Sequence, residues 1–376
     1  MIAELTDLAS RLVAIDSVNP ALVDGGAGEV EIAGFVADWG RAAGLDVDVV
    51  GDASRPSVVL RARGTGGGRS LLLCGHLDTV DVDGMTDPHA PRVDGDWLYG
   101  RGSYDMKAGV AAALIAAREA RRRGIPGDVV VAAVADEEHA SIGIQDVLRS
   151  VRADAAIVTE PTELEVAVAH KGFVWSELEV TGRAAHGSRP WLGVDAIVKT
   201  GPLLVELGAL DAALADRAHP LLGRPSVHAS LIEGGRELSS YPARCVVKVE
   251  RRTLPGETAA DVEREQDELL ARCRGSDGEL LAERRTLLVR DPFEIEPGAE
   301  IVETVRAAAA SVAGCEPPLG GASYWADSAF IAAAGIPTVL FGPSGEGAHA
   351  AEERVSLRDT ELVARTLVEV AARFCR

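Results

Sequence analysis

Lysine is scarce in this chain, with only four residues among 376, at positions 107, 171, 199 and 248. Basic side chains total 38 against 58 acids, a net charge of −20. A nucleic-acid binder needs a basic face, and nothing here supplies one. The acidity favours solubility and says little about fold. Cysteine is also rare: Cys74, Cys245, Cys273, Cys315 and Cys375 are scattered, odd in number and form no CxxC. That excludes a disulfide framework and makes a reducing cytoplasm the expected setting. Apolar runs stop short of the ~18 residues a membrane-spanning helix needs. The nearest in character, VAAALIAAREARRRG (110–124), ends in arginines and reads as a soluble helix. The opening stretch MIAELTDLASRLVAI has acids and no basic region before an apolar core, so it does not read as a signal peptide. There is no internal repeat and no G-x-S-x-G, which sets aside a serine-nucleophile elbow.

What is present is an alternation. Residues 2–15, 28–43, 107–123 and 142–151 carry apolar positions at helical spacing. Short apolar runs of strand length occupy 57–62, 70–74, 128–135 and 155–159. Strands alternating with helices predict a mostly parallel sheet covered on both faces. The pattern returns with helices over 300–313, 326–334 and 357–374, and a strand in GIPTVLFG (335–342). The middle of the chain differs. SELEVTG (176–182) alternates polar and apolar, and 194–215 reads as a helix that Pro202 must kink or split. Strands SVHASLIEGG and ARCVVKVERR, a helix over 258–273 and a strand over 279–289 complete a β-α-β-β-α-β order, the ferredoxin-like arrangement. The chain is therefore expected to be α/β, with a first domain at 1–171 and 291–376 and an inserted second domain at 172–290.

In an open α/β sheet, ligands bind beyond the carboxyl ends of the strands. Each apolar run of the first domain ends in something polar. LLLC runs into Gly75-His76-Leu77-Asp78, VVVAAVA into Asp136-Glu137-Glu138, and AAIVT into Glu160. TVLFGPSGEGA runs into His349, and Asp105 stands just before the helix that opens near Lys107. Singly, each has a plain reading: a packed histidine, a helix cap at Asp105, solvated acids at 137–138. Together they gather two histidines and several carboxylates at one sheet edge, where bare carboxylates repel. A bound cation resolves this, and His with carboxylate donors suits Zn²⁺, with Co²⁺ or Mn²⁺ as alternatives. There are donors enough for two ions. Asp78 then finds a role, since a metal-bound histidine usually donates its other N–H to a carboxylate that orients it.

These blocks resemble the dinuclear zinc amidohydrolases that include acetylornithine deacetylase, succinyl-diaminopimelate desuccinylase, carboxypeptidase G and aminoacylase. The resemblance runs over nearly the whole chain: GHLDTV, YGRGSYDMKAG, ADEEHASIG, TEPT, AAHGSRPWLGVDAI, ERRTLPGE and GIPTVLFGPSGEGAHAAEE, in that order. It implies a zinc-peptidase-like catalytic domain with an inserted lid and dimerisation domain. By position, His76, Asp105 and Glu160 would hold one zinc, and Asp105 would bridge to a second completed by Glu138 and His349. Glu137 matches the general base. His186 matches a histidine that reaches across a homodimer to stabilise an oxyanion, and Arg252 an arginine that takes the substrate's α-carboxylate.

The implied reaction is hydrolysis of an N-acyl-L-amino acid through a metal-bridging water, with Glu137 shuttling the proton. The alternative is a dipeptidase or carboxypeptidase G-like peptidase; both cut an amide beside a free carboxylate. Three departures stand out. Ser239-Ser240-Tyr241-Pro242 replaces Asn-x-x-Pro, a place where Ser239 would meet substrate. Lys107-Ala108-Gly109 replaces Lys-Gly-Gly, and Arg354 stands where many relatives carry an aromatic residue.

Overall fold

The computed structural model describes residues 1–376. Two compact units emerge, one of Met1–Val168, Ile295–Gly321 and Ala326–Arg376, the other of Ala169–Glu294 and Ala322–Trp325. The junctions thus lie a few residues outside 172–290, and the short Ala322–Trp325 segment joins the second unit from far along the chain. The fold is mixed α/β, and no helix is long and apolar enough to cross a membrane.

The first unit is built on a sheet in the order Asp46–Val50, Ser57–Ala62, Val129–Val134, Leu71–His76, Ala155–Val158, Thr338–Leu340, Val166–His170. The four strands from Val129–Val134 to Thr338–Leu340 run parallel, with antiparallel neighbours on either side. Every residue of Leu71–His76 and Val129–Val134 is buried. Successive side chains point to opposite faces, so burial of whole strands requires cover on both. Each fully buried Leu among 71–73 contributes roughly 1.5–3 kcal/mol. Helices Ile2–Val13, Ala108–Arg123, Glu300–Ala313 and Leu357–Phe374 pack on one another and share this core. Ala108–Arg123 is buried all round from residue 108 to 118, which its run of small side chains permits. It ends at Gly124, whose left-handed φ of +61° turns its N–H back to Arg121 O.

A second, smaller sheet joins Gly345–Glu346, Arg354–Ser356, Trp97–Tyr99 and Arg92–Asp94. Its first two strands bracket the loop that carries His349.

The second unit has an antiparallel sheet in the order Ser226–Gly234, Arg244–Thr253, Gly172–Thr181, Leu281–Arg290. With helices Ala196–Leu214 and Ala259–Ser276, the chain order is βαββαβ. Ala259–Ser276 opens in a capping box: Thr258 Oγ1 accepts from Asp261 N at 3.2 Å and Asp261 Oδ2 accepts from Thr258 N at 2.9 Å, worth about 1 kcal/mol. Pro202, expected to kink or split its helix, does not split it: the helix runs from Ala196 to Leu214 with the proline inside. The carbonyl its missing N–H leaves without an intrahelical donor is that of Val198. The two ends of the inserted segment lie together: His170 pairs with Phe293 within the second unit, and Ile295 N donates to Val168 O at 2.8 Å within the first.

Candidate metal centre

The carboxyl ends of the parallel strands gather the expected residues in the first unit. His76 is the last residue of Leu71–His76. Glu137 and Glu138 follow Val129–Val134, and Glu160 follows Ala155–Val158. Asp105 sits in a short irregular turn, Ser103–Lys107, ahead of the buried helix. No side chain caps that helix, so Asp105 is not spent as an N-cap. His349 adopts φ +61°, a left-handed conformation costing a non-glycine residue about 1–2 kcal/mol.

The donor atoms form two overlapping sets. His76, Asp105 and Glu160 lie within 4.8 Å of one another, as do Asp105, Glu138 and His349. Asp105 faces both histidines, Oδ1 at 3.0 Å from His76 Nε2 and Oδ2 at 3.3 Å from His349 Nε2. His76 Nε2 is 3.8 Å from Glu160, and His349 Nε2 is 3.2 Å from Glu138. One carboxylate between two imidazole-and-carboxylate clusters is the donor chemistry of a two-ion site, so these residues fit a pair of divalent cations.

The electrostatics agree. Burial pushes the Glu160 carboxyl well above its ordinary range, and Asp105, Glu138 and Asp327 push further against the pull of His76. Burial does the same to Glu137, with Glu160 and Asp327 adding to it. Burial works against charge on His76, but Asp105, Glu160 and Glu137 outweigh it and hold the imidazole well above its usual value. The bonds to Asp105 and then Glu138 raise His349 to about 10. Carboxylates held above their ordinary range beside imidazoles held above theirs fit a place that favours positive charge.

Asp78 behaves otherwise than expected. His76 Nδ1 lies 2.9 Å from the Asp78 backbone carbonyl and 3.7 Å from its carboxylate. The carboxylate is occupied elsewhere: it accepts from the backbone N–H of Glu137 (3.1 Å) and Glu138 (3.2 Å) and from Asn19 Nδ2 (2.8 Å). Asp78 therefore fixes the histidine through its main chain and the two glutamates through its side chain.

Behind it lies a network the sequence reading missed. Asn19 Nδ2 also donates to Asp136 Oδ1 at 3.0 Å, and Arg55 Nη2 donates to the same oxygen at 2.8 Å. Arg55 is in turn paired with buried Glu29 at 2.6 Å. The SVNP stretch holding Asn19, and the acid next to Glu137, were the signals available. Asp327, in SYWADSAF, is also buried, close enough to raise both Glu137 and Glu160.

The remaining site residues belong to the second unit. His186 is exposed, with Nδ1 2.8 Å from Ser188 Oγ. It lies beside the segment of Ser239, whose carbonyl accepts from Gly187 N at 2.7 Å. Arg252 stands on Arg244–Thr253 with its guanidinium 5.1 Å over the Phe173 ring and 3.1 Å from Glu250.

Comparison with known proteins follows the same lines. Residues 72–373 match the model of Peptidase family M20/M25/M40. An acetylornithine deacetylase of Myxococcus xanthus is 31% identical over 97% of this chain and 96% of its own. Among solved structures, aminopeptidase PepT from Bacillus cereus ATCC 10987 superposes with a TM-score of 0.79 at 20% identity, covering 100% of this chain and 99% of that one. The YXEP protein of Bacillus subtilis, described as a dinuclear metal binding peptidase from M20 family, gives 0.75 at 16% identity, covering 99% and 98%. These two likenesses are likenesses of fold.

Proposed function

The chain belongs to peptidase family M20/M25/M40, a family of dinuclear metal-binding enzymes, and on that premise we propose that this metal-dependent amidohydrolase deacylates an N-acyl-L-amino acid. The observation that carries the reading is Asp105, set between two donor clusters at 3.0 and 3.3 Å from their histidines. His76, Asp105 and Glu160 would hold one ion and Asp105, Glu138 and His349 the other, Zn²⁺ by donor type, with Co²⁺ or Mn²⁺ as substitutes. Bound there, the ions would supply the positive charge that acidifies water and polarises an amide carbonyl.

The chain's own residues do the rest. Glu137 takes a proton on its carboxylate and returns it to the leaving amine. Asp78 holds Glu137 and Glu138 by their amides. Arg252 receives the substrate carboxylate with its planar fork, and Ser239 lines the pocket where relatives place Asn. His186 donates to the developing oxyanion in a second copy's site.

A homodimer is supported by apolar surface on the second unit. Val198 and Val205 on helix Ala196–Leu214 are 70% and 73% exposed, and Leu231 and Ile232 on edge strand Ser226–Gly234 are 55% and 52% exposed. Five unpaired cysteines fit a reducing cytoplasm.

A peptidase reading has its own support in the fold likeness to an aminopeptidase and in the departure at Ser239. Amine release by zinc-loaded protein separates the two. The panel holds N-acetyl-ornithine, other N-acetyl and N-succinyl amino acids, and dipeptides ending in Glu or Ala. Turnover of an N-acyl amino acid with dipeptides untouched is expected; turnover of dipeptides alone overturns deacylation.

A further inference from the structure

We infer that Arg101 and Glu353 form a buried clamp that positions Asp105 for ion binding. The inference rests on the two-ion reading above and assigns its supporting machinery. Both residues are positioning residues.

The turn that carries Asp105 is held only in part by its own backbone, through Ser103 N to Gly100 O at 3.1 Å and Lys107 N to Gly102 O at 2.8 Å. Gly102 has φ +76°, Asp105 has φ −113° and ψ 94°, and Met106 has φ −135° and ψ 35°. These values are not helical, and the amides of Gly102, Tyr104 and Asp105 find their acceptor outside the stretch. Glu353 supplies it, 250-odd residues further along the chain. Its Oε1 accepts from Tyr104 N at 2.8 Å and Asp105 N at 3.0 Å. Its Oε2 accepts from Gly102 N at 2.9 Å and Arg101 Nη1 at 2.7 Å. Four donors thus converge on one carboxylate that is 1% exposed.

A buried carboxylate needs a countercharge. Arg101, 2% exposed, provides it and reaches further. Its Nε donates to Asp81 O at 2.8 Å, on the segment that continues from His76 and Asp78. Its Nη2 donates to Ala350 O at 3.0 Å, the neighbour of His349. One ion pair therefore ties together the segments bearing His76, Asp105 and His349. The planar fork of Arg, with donors in three directions, allows this where a lysine would not. Glu353 also directs Asp105 by its own amide, so that a shift of the clamp moves the one residue both clusters share.

Glu353→Gln tests the assignment. A glutamine keeps one acceptor oxygen, enough for two of the four donors, and turns an N–H group toward the others. The measurement is zinc uptake by metal-free, full-length protein in competition with a chromophoric chelator. Loss of such a supporting contact typically weakens metal affinity ~10–100-fold, and that is the expected shift in E353Q. A role confined to fold stability lowers the melting temperatures of metal-free and zinc-saturated protein alike. A positioning role also shrinks the rise in melting temperature that zinc brings. If E353Q does not fold, R101Q/E353Q, which removes the buried charges together, carries the same comparison. A parent protein that binds no ion overturns the two-ion reading and this inference with it. A parent that binds two, beside a folded variant that binds them within twofold as tightly, overturns the inference alone.

Discussion

Gly109→Ala adds one methyl group to the first turn of helix Ala108–Arg123. A Cβ at that position would lie 2.2 Å from the Thr159 carbonyl oxygen and 2.9 Å from Thr159 Oγ1. Cβ contacts below 3.0 Å do not persist, so helix and strand end must part by at least about 0.8 Å. Neither yields easily. The helix is buried all round from residue 108 to 118, and Thr159 is fully buried with its N and Oγ1 both bonded to Cys74 O, at 2.9 and 3.2 Å. Overpacking of this kind costs ~1–3 kcal/mol, while alanine gains ~1 kcal/mol over glycine in a helix. The net loss of stability is therefore ~0–2 kcal/mol by those two ranges, which leaves the protein folded. The loss of activity is not small. Thr159 is the neighbour of Glu160, and a displacement near 1 Å at a reacting centre costs ~10²-fold. We expect kcat/KM for the N-acyl amino acid to fall ~10²-fold in protein that still unfolds cooperatively in urea. Gly34→Ala is the control: the residue sits in helix Val30–Ala42 with open space around its Cβ position. That variant should gain ~0.5–1 kcal/mol at unchanged turnover. If G109A turns over within threefold of the parent, the close approach does not hold Glu160 in place and the reasoning fails.

Further predictions concern other parts of the molecule. Glu137→Gln should keep its fold and its bound zinc yet lose at least ~10²-fold in kcat; near-normal turnover removes Glu137 from proton transfer. Inactive His186→Ala and Glu137→Gln proteins, mixed and allowed to exchange subunits, should regain activity if His186 serves a second copy; no recovery despite proven exchange places His186 elsewhere. A thiol-disulfide reagent at pH 8 should titrate Cys315 fast and the other four slowly, since only Cys315 is exposed and burial holds the Cys375 thiol up at about 12. Rapid reaction of two or more thiols in the folded protein would show that the core around them opens.

The sheet was legible because its central strands are buried on both faces. Leu71–His76 and Val129–Val134 read as unbroken apolar runs, and the polar residue ending each run stands out at once. That same contrast pointed to His76, Glu137, Glu138 and Glu160. The supports were not legible. Arg101 and Glu353 meet across 252 positions, and Asn19 reaches Asp78 and Asp136 across 59 and 117, without any local pattern. The strands Gly345–Glu346 and Arg354–Ser356 are too short to show a period of two. Asp78 was read as an orienting carboxylate because the sequence cannot say which of its oxygens faces the ring. The rule against interior proline predicts a kink or a split at Pro202, and the helix is not split there.

The inserted segment leaves and returns through one hydrogen bond, Ile295 N to Val168 O at 2.8 Å. An interruption with such adjacent ends behaves as a detachable cassette. Residues 169–294 thus enter and leave the first unit at one point, so their length can change without drawing apart the strands that flank them. Ala322–Trp325, which clusters with them from far along the chain, is the second tie that any transplant has to carry.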